Sequence, residues 1–315
     1  MIQKNVHRLL MTGFVAFISS LSLMAQHKVE MLPFGDMDQW VDRQIKESSI
    51  IGGNTKNVYA IGPTTVIKGD QVYKNTSNVM AKVAGITKTN TSVFPEKRGD
   101  GYCARLDTRM ESVKVLGLVN ITVLAAGSVF TGSVHEPIKG TKNPQKMLQT
   151  GIPFTKKPVA LQFDYKVKMS DRENRIRATG FSKITDVPGK DYPAAILLLQ
   201  KRWEDANGNV YAKRIGTMVT YYYHSTDWKN NATYEIMYGD ITNRPEYKSH
   251  MMRLQATESY TVNSKGESVP IHEVAWGNEN DVPTHMCLQF TSSHGGAYIG
   301  SPGNTLWIDN VKLVY

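Results

Sequence analysis

Polar side chains recur at every second position in several segments of the chain, a pattern typical of one face of a β-sheet. Successive side chains of a strand point to opposite faces, so Leu161 and Phe163 would face a core while Asp164 faces solvent. The same alternation places Arg105 and Asp107 on one face. Planar carboxylate, amide and guanidinium groups can each reach two adjacent ligand oxygens, and aromatic rings cover apolar ligand faces. These are the groups that recognise sugars.

The candidate saccharide-binding residues come from such faces and from neighbouring aromatic positions. They are Arg105, Asp107, Arg109, Asp164, Arg202, Trp203, Tyr222, Trp228, Gln289 and His294. The alternative for each of them is a solvated sheet face with cross-strand ion pairs.

The charge balance favours an anionic ligand. The chain has 37 lysine and arginine residues against 28 aspartate and glutamate residues, a formal net charge of +9. A basic surface attracts anionic partners, and arginine suits the planar carboxylate of a uronate or the oxygens of a sulfate. Plain solubility is the alternative. Nucleic acid is not expected as a partner, because the N-terminal sequence predicts export.

Carboxylates at the two ends of the domain form a separate pattern. Asp36 and Asp38 lie near the start, and Asp309 lies inside an apolar final strand. A buried carboxylate needs a partner. If the first and last strands are neighbours, the three carboxylates could hold a structural Ca²⁺ together with backbone carbonyls. Alternatively, Asp309 accepts hydrogen bonds from a neighbouring turn.

The N-terminus is predicted to be a secretory signal peptide, residues 1–26. Lys4 and Arg8 precede an apolar run at 9–24 that is short for a membrane span, and polar residues follow it. No cysteine of the lipoprotein type lies near the cleavage point, and no second apolar run could span a membrane. We therefore expect an exported protein, periplasmic or extracellular, whose residues 27–315 form a single domain.

The remaining sequence predicts an all-β fold, a jelly-roll sandwich of antiparallel strands with a short N-terminal helix. The helix is predicted at 39–49. Turn-rich sequences at 205–209 and 263–266 predict hairpins. Strands are predicted at 58–61, 79–83, 101–109, 120–126, 129–133, 159–169, 195–203, 210–223, 233–238, 284–291 and 305–314. Short strands with frequent turns are typical of a jelly roll.

The two cysteines leave two interpretations open. Cys103 and Cys287 could form a disulfide in an oxidising compartment, or each could be a small buried apolar residue. They lack the spacing of a redox or metal motif.

The chain also resembles a known family. Similarity to the putative carbohydrate metabolism domain family, secreted proteins of glycan-foraging gut bacteria, extends from about Pro33 to Tyr315. It is carried by residues 35–40, 50–56, 99–104, 198–205, 225–228 and 292–304. The resemblance implies a β-jelly-roll and a role in carbohydrate binding or processing, with other glycan-utilisation proteins as partners. It supplies no catalytic residues.

Three functions are compatible with these patterns. The first is an exported module that binds an acidic saccharide without turnover. The second is a glycoside hydrolase or lyase that uses strand carboxylates such as Asp107 and Asp164, which would have to lie about 5–10 Å apart. Arginines around them would keep both ionised, which does not suit a general acid. The third is a structural or adhesive surface protein.

Overall fold

The computed structural model describes residues 28–62, 72–83, 85–115, 119–140, 143–180, 182–255 and 258–315. The predicted signal peptide lies outside the described residues. Within them, no helix is long and apolar enough to cross a membrane.

The described chain is built from strands and two short 3₁₀ turns. The strands are β1 Val29–Met31, β2 Trp40–Lys46, β3 Thr55–Ile61, β4 Val72–Thr76, β5 Val79–Val83, β6 Ile86–Asn90, β7 Val93–Arg98, β8 Gly101–Val115, β9 Val119–Ala126, β10 Ser128–His135, β11 Leu148–Thr150, β12 Ile152–Pro153, β13 Ala160–Lys168, β14 Arg175–Arg177, β15 Thr179–Gly180, β16 Thr185–Val187, β17 Ala194–Glu204, β18 Val210–Tyr221, β19 Thr226–Glu235, β20 Met237–Tyr238, β21 Tyr260–Val262, β22 Ser268–Trp276, β23 His285–Thr291, β24 Ile299–Gly300 and β25 Thr305–Val314. The 3₁₀ turns are Ser49–Ile51 and Pro144–Met147.

Two large sheets contain most of these strands. The eight-stranded sheet has the order β15-β9-β8-β25-β13-β19, with β1 paired to β25 and β7 paired to β8. The ten-stranded sheet has the order β11-β10-β23-β17-β18-β22-β21, with β12, β20 and β4 on its flanks. Their pairings are antiparallel apart from β18 with β22, which run parallel.

One hydrophobic cluster contains side chains from both large sheets. The eight-stranded sheet contributes Leu161 and Phe163 from β13, and the ten-stranded sheet contributes Leu197 from β17 and Phe290 from β23. The Phe163 and Phe290 rings meet edge to face with centroids 4.8 Å apart. Burying each such side chain contributes about 1.5–3 kcal/mol. The all-β prediction is confirmed, while the jelly-roll connectivity stays a prediction.

The predicted N-terminal helix is wrong. Residues 40–46 form β2, which pairs with β3 in continuous register from Trp40↔Ile61 to Lys46↔Thr55. Gly52 and Gly53, both with positive φ, turn the chain between the two strands. Cross-strand pairing with a partner beyond this turn therefore overrode the weak local preference for a helix.

Other local predictions are confirmed. Each of the eleven predicted strands overlaps an observed strand. The turn at 205–209 joins β17 to β18, where the Asp205 carboxylate accepts hydrogen bonds from the backbone N–H groups of Asn207 and Asn209. Both cysteines are free and buried, in agreement with the interpretation of each as a small apolar residue.

The first and last strands of the described chain are neighbours, as the calcium hypothesis requires, although β1 was not among the predicted strands. β1 pairs with β25 from Val29↔Val314 to Met31↔Lys312. Beyond β1, the Val311 N–H donates to the Gly35 carbonyl at 2.8 Å. This contact brings the acidic segment at 36–38 to the edge of the final strand.

Candidate functional site

The outer face of the eight-stranded sheet combines charged and aromatic side chains. Trp307 of β25 lies opposite Arg105 of β8 on one side and Lys166 of β13 on the other. Its strand neighbours Leu306 and Ile308 are buried in the core. Alternation along β25 therefore directs Trp307 outward, between two cationic residues.

A groove of about 380 Å³ lies beside this tryptophan. Its lining residues are Lys166, Val167, Lys168, Ser225, Thr226, Asp227 and Trp307, and we refer to it as the Trp307 groove. The indole Nε1 donates to Glu96 Oε1 at 2.9 Å, and Lys166 Nζ lies 4.9 Å from the ring centroid. The ring is therefore held on one edge by a hydrogen bond and on one face by a cation.

Two carboxylates and an arginine lie on the same sheet face. The carboxylates are two residues away from Lys166 along β13 and from Trp307 along β25. Asp164 of β13 is opposite Asp309 of β25. Arg98 NH1 lies 2.9 Å from an oxygen of Asp164 and 2.5 Å from an oxygen of Asp309. The same guanidinium stacks over the Trp228 ring, 3.8 Å from its centroid. We refer to Arg98, Asp164 and Asp309 as the Arg98 cluster.

The two carboxylates of the cluster differ in acidity. Burial opposes ionisation of Asp164, but hydrogen bonds from the Asn231 N–H, the Asn310 side chain and Arg98 outweigh it, so the Asp164 pKa is lowered. Burial dominates at Asp309 and raises its pKa, although Arg98 and the Asn310 N–H favour the carboxylate. Asp164 is therefore held ionised and is unsuited to act as a general acid.

A ladder of ion pairs continues along β8. Arg105 contacts Glu96 at 2.8 Å and Asp107 at 3.3 Å. Arg109 contacts Glu111 at 2.8 Å. Thr305 Oγ1 also donates to Asp107 at 3.1 Å. These opposite charges pair with one another along β8 and between β8 and β7. The pairing holds Arg105 in place opposite Trp307, at one side of the groove.

Five of the ten predicted saccharide-binding residues lie on the eight-stranded sheet, but none of the ten lines the Trp307 groove. Arg105, Asp107, Arg109, Asp164 and Trp228 all belong to the eight-stranded sheet. The other five belong to the ten-stranded sheet or to segments next to it. The predicted residues therefore do not form one site.

Arg202, Gln289 and Trp203 lie apart from the Trp307 groove. Arg202 donates to Gln200 Oε1 at 2.8 Å and lies 3.0 Å from the Cys287 sulfur. Gln289, on β23, approaches a serine hydroxyl of β10. Trp203 is 42% exposed near the end of β17 and stacks on Tyr211 of β18.

The assignment of Tyr222 to a ligand-facing surface is corrected. Its side chain belongs to the main core and is only 6% exposed, with its ring centroid 4.6 Å from that of Tyr165. A register shift between β17 and β18 occurs at Leu199/Gln200 and leaves Ile215 without a partner on β17. The unpaired Ile215 is a β-bulge, and the residues that follow a bulge occupy the opposite faces from those expected by strict alternation. Tyr222 therefore points into the core, as Ile215 does.

The candidate metal ligands have other partners. Asp38 Oδ1 accepts a hydrogen bond from the Tyr102 N–H at 2.7 Å, Asp36 Oδ1 lies 3.5 Å from the Asp38 N–H, and Asp309 pairs with Arg98. No group of three or more His, Cys, Asp or Glu side chains in the described part of the chain is arranged to hold a metal. Calcium binding stays a prediction, and a melting midpoint that falls on addition of a chelator would support it.

The sequence prediction missed Arg98, Glu96 and Trp307 as members of this face. Arg98 and Glu96 lie on β7, which was not predicted; it contains Pro95, a residue found in edge strands. Trp307 was detectable, since it alternates with Thr305 and Asp309 on the predicted final strand.

Comparisons with known proteins give a family and two distant structural likenesses. The family model described as "Putative carbohydrate metabolism domain" matches residues 52–314. No curated protein matches the chain. A crystal structure of a putative glycoside hydrolase from Bacteroides thetaiotaomicron is 19% identical, with a TM-score of 0.44, and the alignment covers 87% of this chain and 71% of that one. A second, from Bacteroides vulgatus, is 14% identical with a TM-score of 0.39, covering 77% and 96%.

Proposed function

Because the chain belongs to the putative carbohydrate metabolism domain family, we propose that it is an exported protein that binds an acidic saccharide in the Trp307 groove. The observation that carries the proposal is a tryptophan ring in a groove that also contains Lys166 and Lys168. This combination provides an apolar surface and positive charge in one place. Glycan capture in the periplasm or outside the cell, with other glycan-utilisation proteins as partners, is the expected setting.

Each part of the groove has a distinct role in this proposal. The Trp307 ring covers the apolar C–H face of a pyranose. The ammonium groups of Lys166 and Lys168 pair with the carboxylate of a uronate or with a sulfate. The hydrogen bond from Trp307 to Glu96 fixes the ring before binding, so less conformational freedom is lost when a ligand arrives. The volume of the groove lies in the usual range for small-ligand sites.

Replacing Trp307 by alanine is expected to weaken binding of acidic oligosaccharides at least about tenfold, because the stacking surface is removed.

Replacing Lys166 and Lys168 by methionine is expected to weaken binding and reduce its dependence on salt, because exposed ion contacts are screened by salt. The measurement is titration calorimetry with sulfated and uronate-containing oligosaccharides at low and high salt.

The matched control is Trp203→Ala, which removes an exposed tryptophan from the other large sheet. It should leave acidic-saccharide binding unchanged. If Trp203→Ala weakens binding and Trp307→Ala does not, the groove is not the site. If no acidic saccharide binds and a protein partner does, an adhesive role replaces the proposal.

Turnover is tested with the same glycans. We expect no release of reducing sugar; despite burial, hydrogen bonds and Arg98 lower the pKa of Asp164, which argues against this one carboxyl group as a general acid. Reducing-sugar release that disappears in Asp107→Asn or Asp227→Asn, with binding retained, would instead support a hydrolase.

A further inference from the structure

Five aromatic rings form a second cluster, next to the ten-stranded sheet. They are Tyr192, Tyr221, Tyr223, His250 and His294, and we refer to them as the Tyr221 platform. They come from the end of the β17–β18 pair at which β17 begins and β18 ends, from the loop after β23 and from the segment between β20 and β21.

The rings contact one another in succession. The Tyr221 ring centroid lies 4.8 Å from that of His250 and 4.8 Å from that of His294. Tyr192 lies 5.5 Å from His294 and 4.7 Å from Tyr223. Tyr223 Oη and His250 Nδ1 are 3.3 Å apart. The platform is therefore a continuous aromatic surface.

A buried carboxylate holds one side of the platform in place. Asp191 accepts hydrogen bonds from the Ser293 hydroxyl at 2.9 Å, the Ser301 N–H at 2.8 Å and the Asn304 side chain at 3.2 Å. It also accepts from the backbone N–H of His294 at 3.2 Å. These contacts fix the loop that carries His294, so the ring positions are established before a ligand binds.

The orientation of His294 leaves one ring nitrogen for a ligand. The backbone N–H of Tyr192 donates to His294 Nδ1 at 3.0 Å. In a neutral imidazole the proton is then on Nε2, which can donate to a ligand oxygen. Asp191 Oδ1 also lies 3.1 Å from Nδ1, so both neighbours of the ring approach the same nitrogen.

The platform is accessible to ligands. Tyr223 is 46% exposed, and the other four rings are partly exposed. Apolar side chains of the sheet, Ile196, Leu198 and Val219, pack beside Tyr221. Contiguous exposed aromatic surfaces of this kind mark binding sites.

The chemistry of the platform differs from that of the Trp307 groove. Burial, together with Lys248, lowers the pKa of His250, and burial raises the pKa of Tyr221. Both rings are therefore uncharged at neutral pH. Several of the rings stack on one another, so the platform offers a ligand the exposed Tyr223 ring, phenol hydroxyls and imidazole nitrogens, where the groove offers ammonium groups.

We propose that the Tyr221 platform is a second carbohydrate-binding site, which takes neutral pyranosides by ring stacking and is independent of the Trp307 groove. A neutral sugar fits because its apolar C–H face can lie on the aromatic rings while its hydroxyls reach the phenol and imidazole groups at their edges. Binding in two places would let the protein hold a neutral and an acidic glycan at the same time.

The test uses cellohexaose, mannohexaose, maltohexaose and xylohexaose as probes, titrated at about 1 M salt, where charge contacts are screened within about 3 Å. We expect at least one of them to bind. Tyr223→Ala and His250→Ala should each weaken that binding about three- to tenfold, the loss expected for one aromatic contact. Tyr223→Phe should restore it, because the ring is retained.

The groove variant separates this proposal from the previous one. Trp307→Ala should leave neutral-glycan binding unchanged, and Tyr223→Ala should leave acidic-glycan binding unchanged. The proposal is overturned if none of the four probes binds, or if Trp307→Ala abolishes their binding while Tyr223→Ala does not. If the unmodified protein binds a neutral glycan but no acidic glycan, the groove proposal fails and the platform proposal stands.

Discussion

Replacing Glu273 by leucine is expected to lower the free energy of unfolding by about 3–5 kcal/mol, since it leaves the buried charge of Arg214 without a partner. Both side chains of this ion pair are fully buried. Arg214 Nε lies 2.6 Å from Glu273 Oε1, and Arg214 NH2 contacts Oε2. Without Glu273, the guanidinium would keep its hydrogen bond to the Met252 carbonyl but would have no carboxylate to balance its buried charge.

The Glu273 carboxylate also binds two other groups. Gln200 Nε2 donates to Oε1 at 2.6 Å, and the Gln255 N–H donates to Oε2 at 2.7 Å. Leucine would leave these donors unsatisfied as well, which adds to the cost. The pair therefore ties β18 and β22 to the segment that carries Gln255.

The measurement is urea unfolding of a double-mutant cycle. Arg214→Met should be about as destabilising as Glu273→Leu, and the double variant should recover most of the loss, because neither charge then remains buried alone. Lys213→Met is the control, since Lys213 is the exposed neighbour on β18, and it should change stability by less than about 0.5 kcal/mol. Single and double losses that simply add would show that the pair is not coupled.

Replacing Arg98 by methionine is expected to destabilise the fold by about 2–4 kcal/mol at neutral pH, because Asp164 and Asp309 lose their shared cation. Both carboxylates are nearly buried, 5% and 6% exposed respectively. The Arg98 side chain is 21% exposed, so we expect a smaller effect than at Arg214. Unfolding with urea at neutral pH and at about pH 4, near the ordinary carboxyl pKa, measures the loss.

The loss should shrink as the pH falls, since protonated carboxyl groups no longer need the guanidinium. Lys97→Met is the control on the same strand, since the exposed Lys97 lies over the Tyr102 ring, and it should have little effect at either pH. A loss at Arg98 that is independent of pH would indicate packing rather than charge.

The two carboxylates of the Arg98 cluster should behave oppositely with pH. The lowered pKa of Asp164 means that its ionisation stabilises the fold above its unfolded pKa, a contribution lost as the pH falls through the folded value. The raised pKa of Asp309 means that its contribution is fully present below its unfolded pKa and is lost as the pH rises through the folded value. At neutral pH, Asp164→Asn should therefore cost more stability than Asp309→Asn. Equal costs would contradict this assignment.

Local patterns were sufficient to predict much of the fold. Leu161 and Phe163 face the core and Asp164 lies on the opposite face of β13, because alternation is a property of any extended strand. That Asp164 is only 5% exposed was not predicted, since its partner Arg98 comes from β7. The turn at 205–209 also follows from its own residues, since the Asp205 carboxylate bonds the nearby backbone N–H groups. Neither feature depends on distant parts of the chain.

Local patterns failed where a distant partner decides. Residues 40–46 became a strand because β3 pairs with them. Tyr222 turned into the core because a bulge shifted the register of β18 against β17. A prediction made from one segment alone, of a helix or of the face that a side chain occupies, cannot take account of a partner strand elsewhere in the chain.

The sequence by itself determined that the chain is built from strands, where most of the strands of seven or more residues lie, and that its side chains carry a net positive charge. Only the tertiary structure decided which of those side chains meet. Trp307 lies between Arg105 and Lys166 because β8, β25 and β13 are adjacent in the sheet although far apart in the chain. The same long-range pairing assigned the predicted binding residues to two different sheets. Strand order is set by packing between distant segments, and period-two alternation contains no information about it.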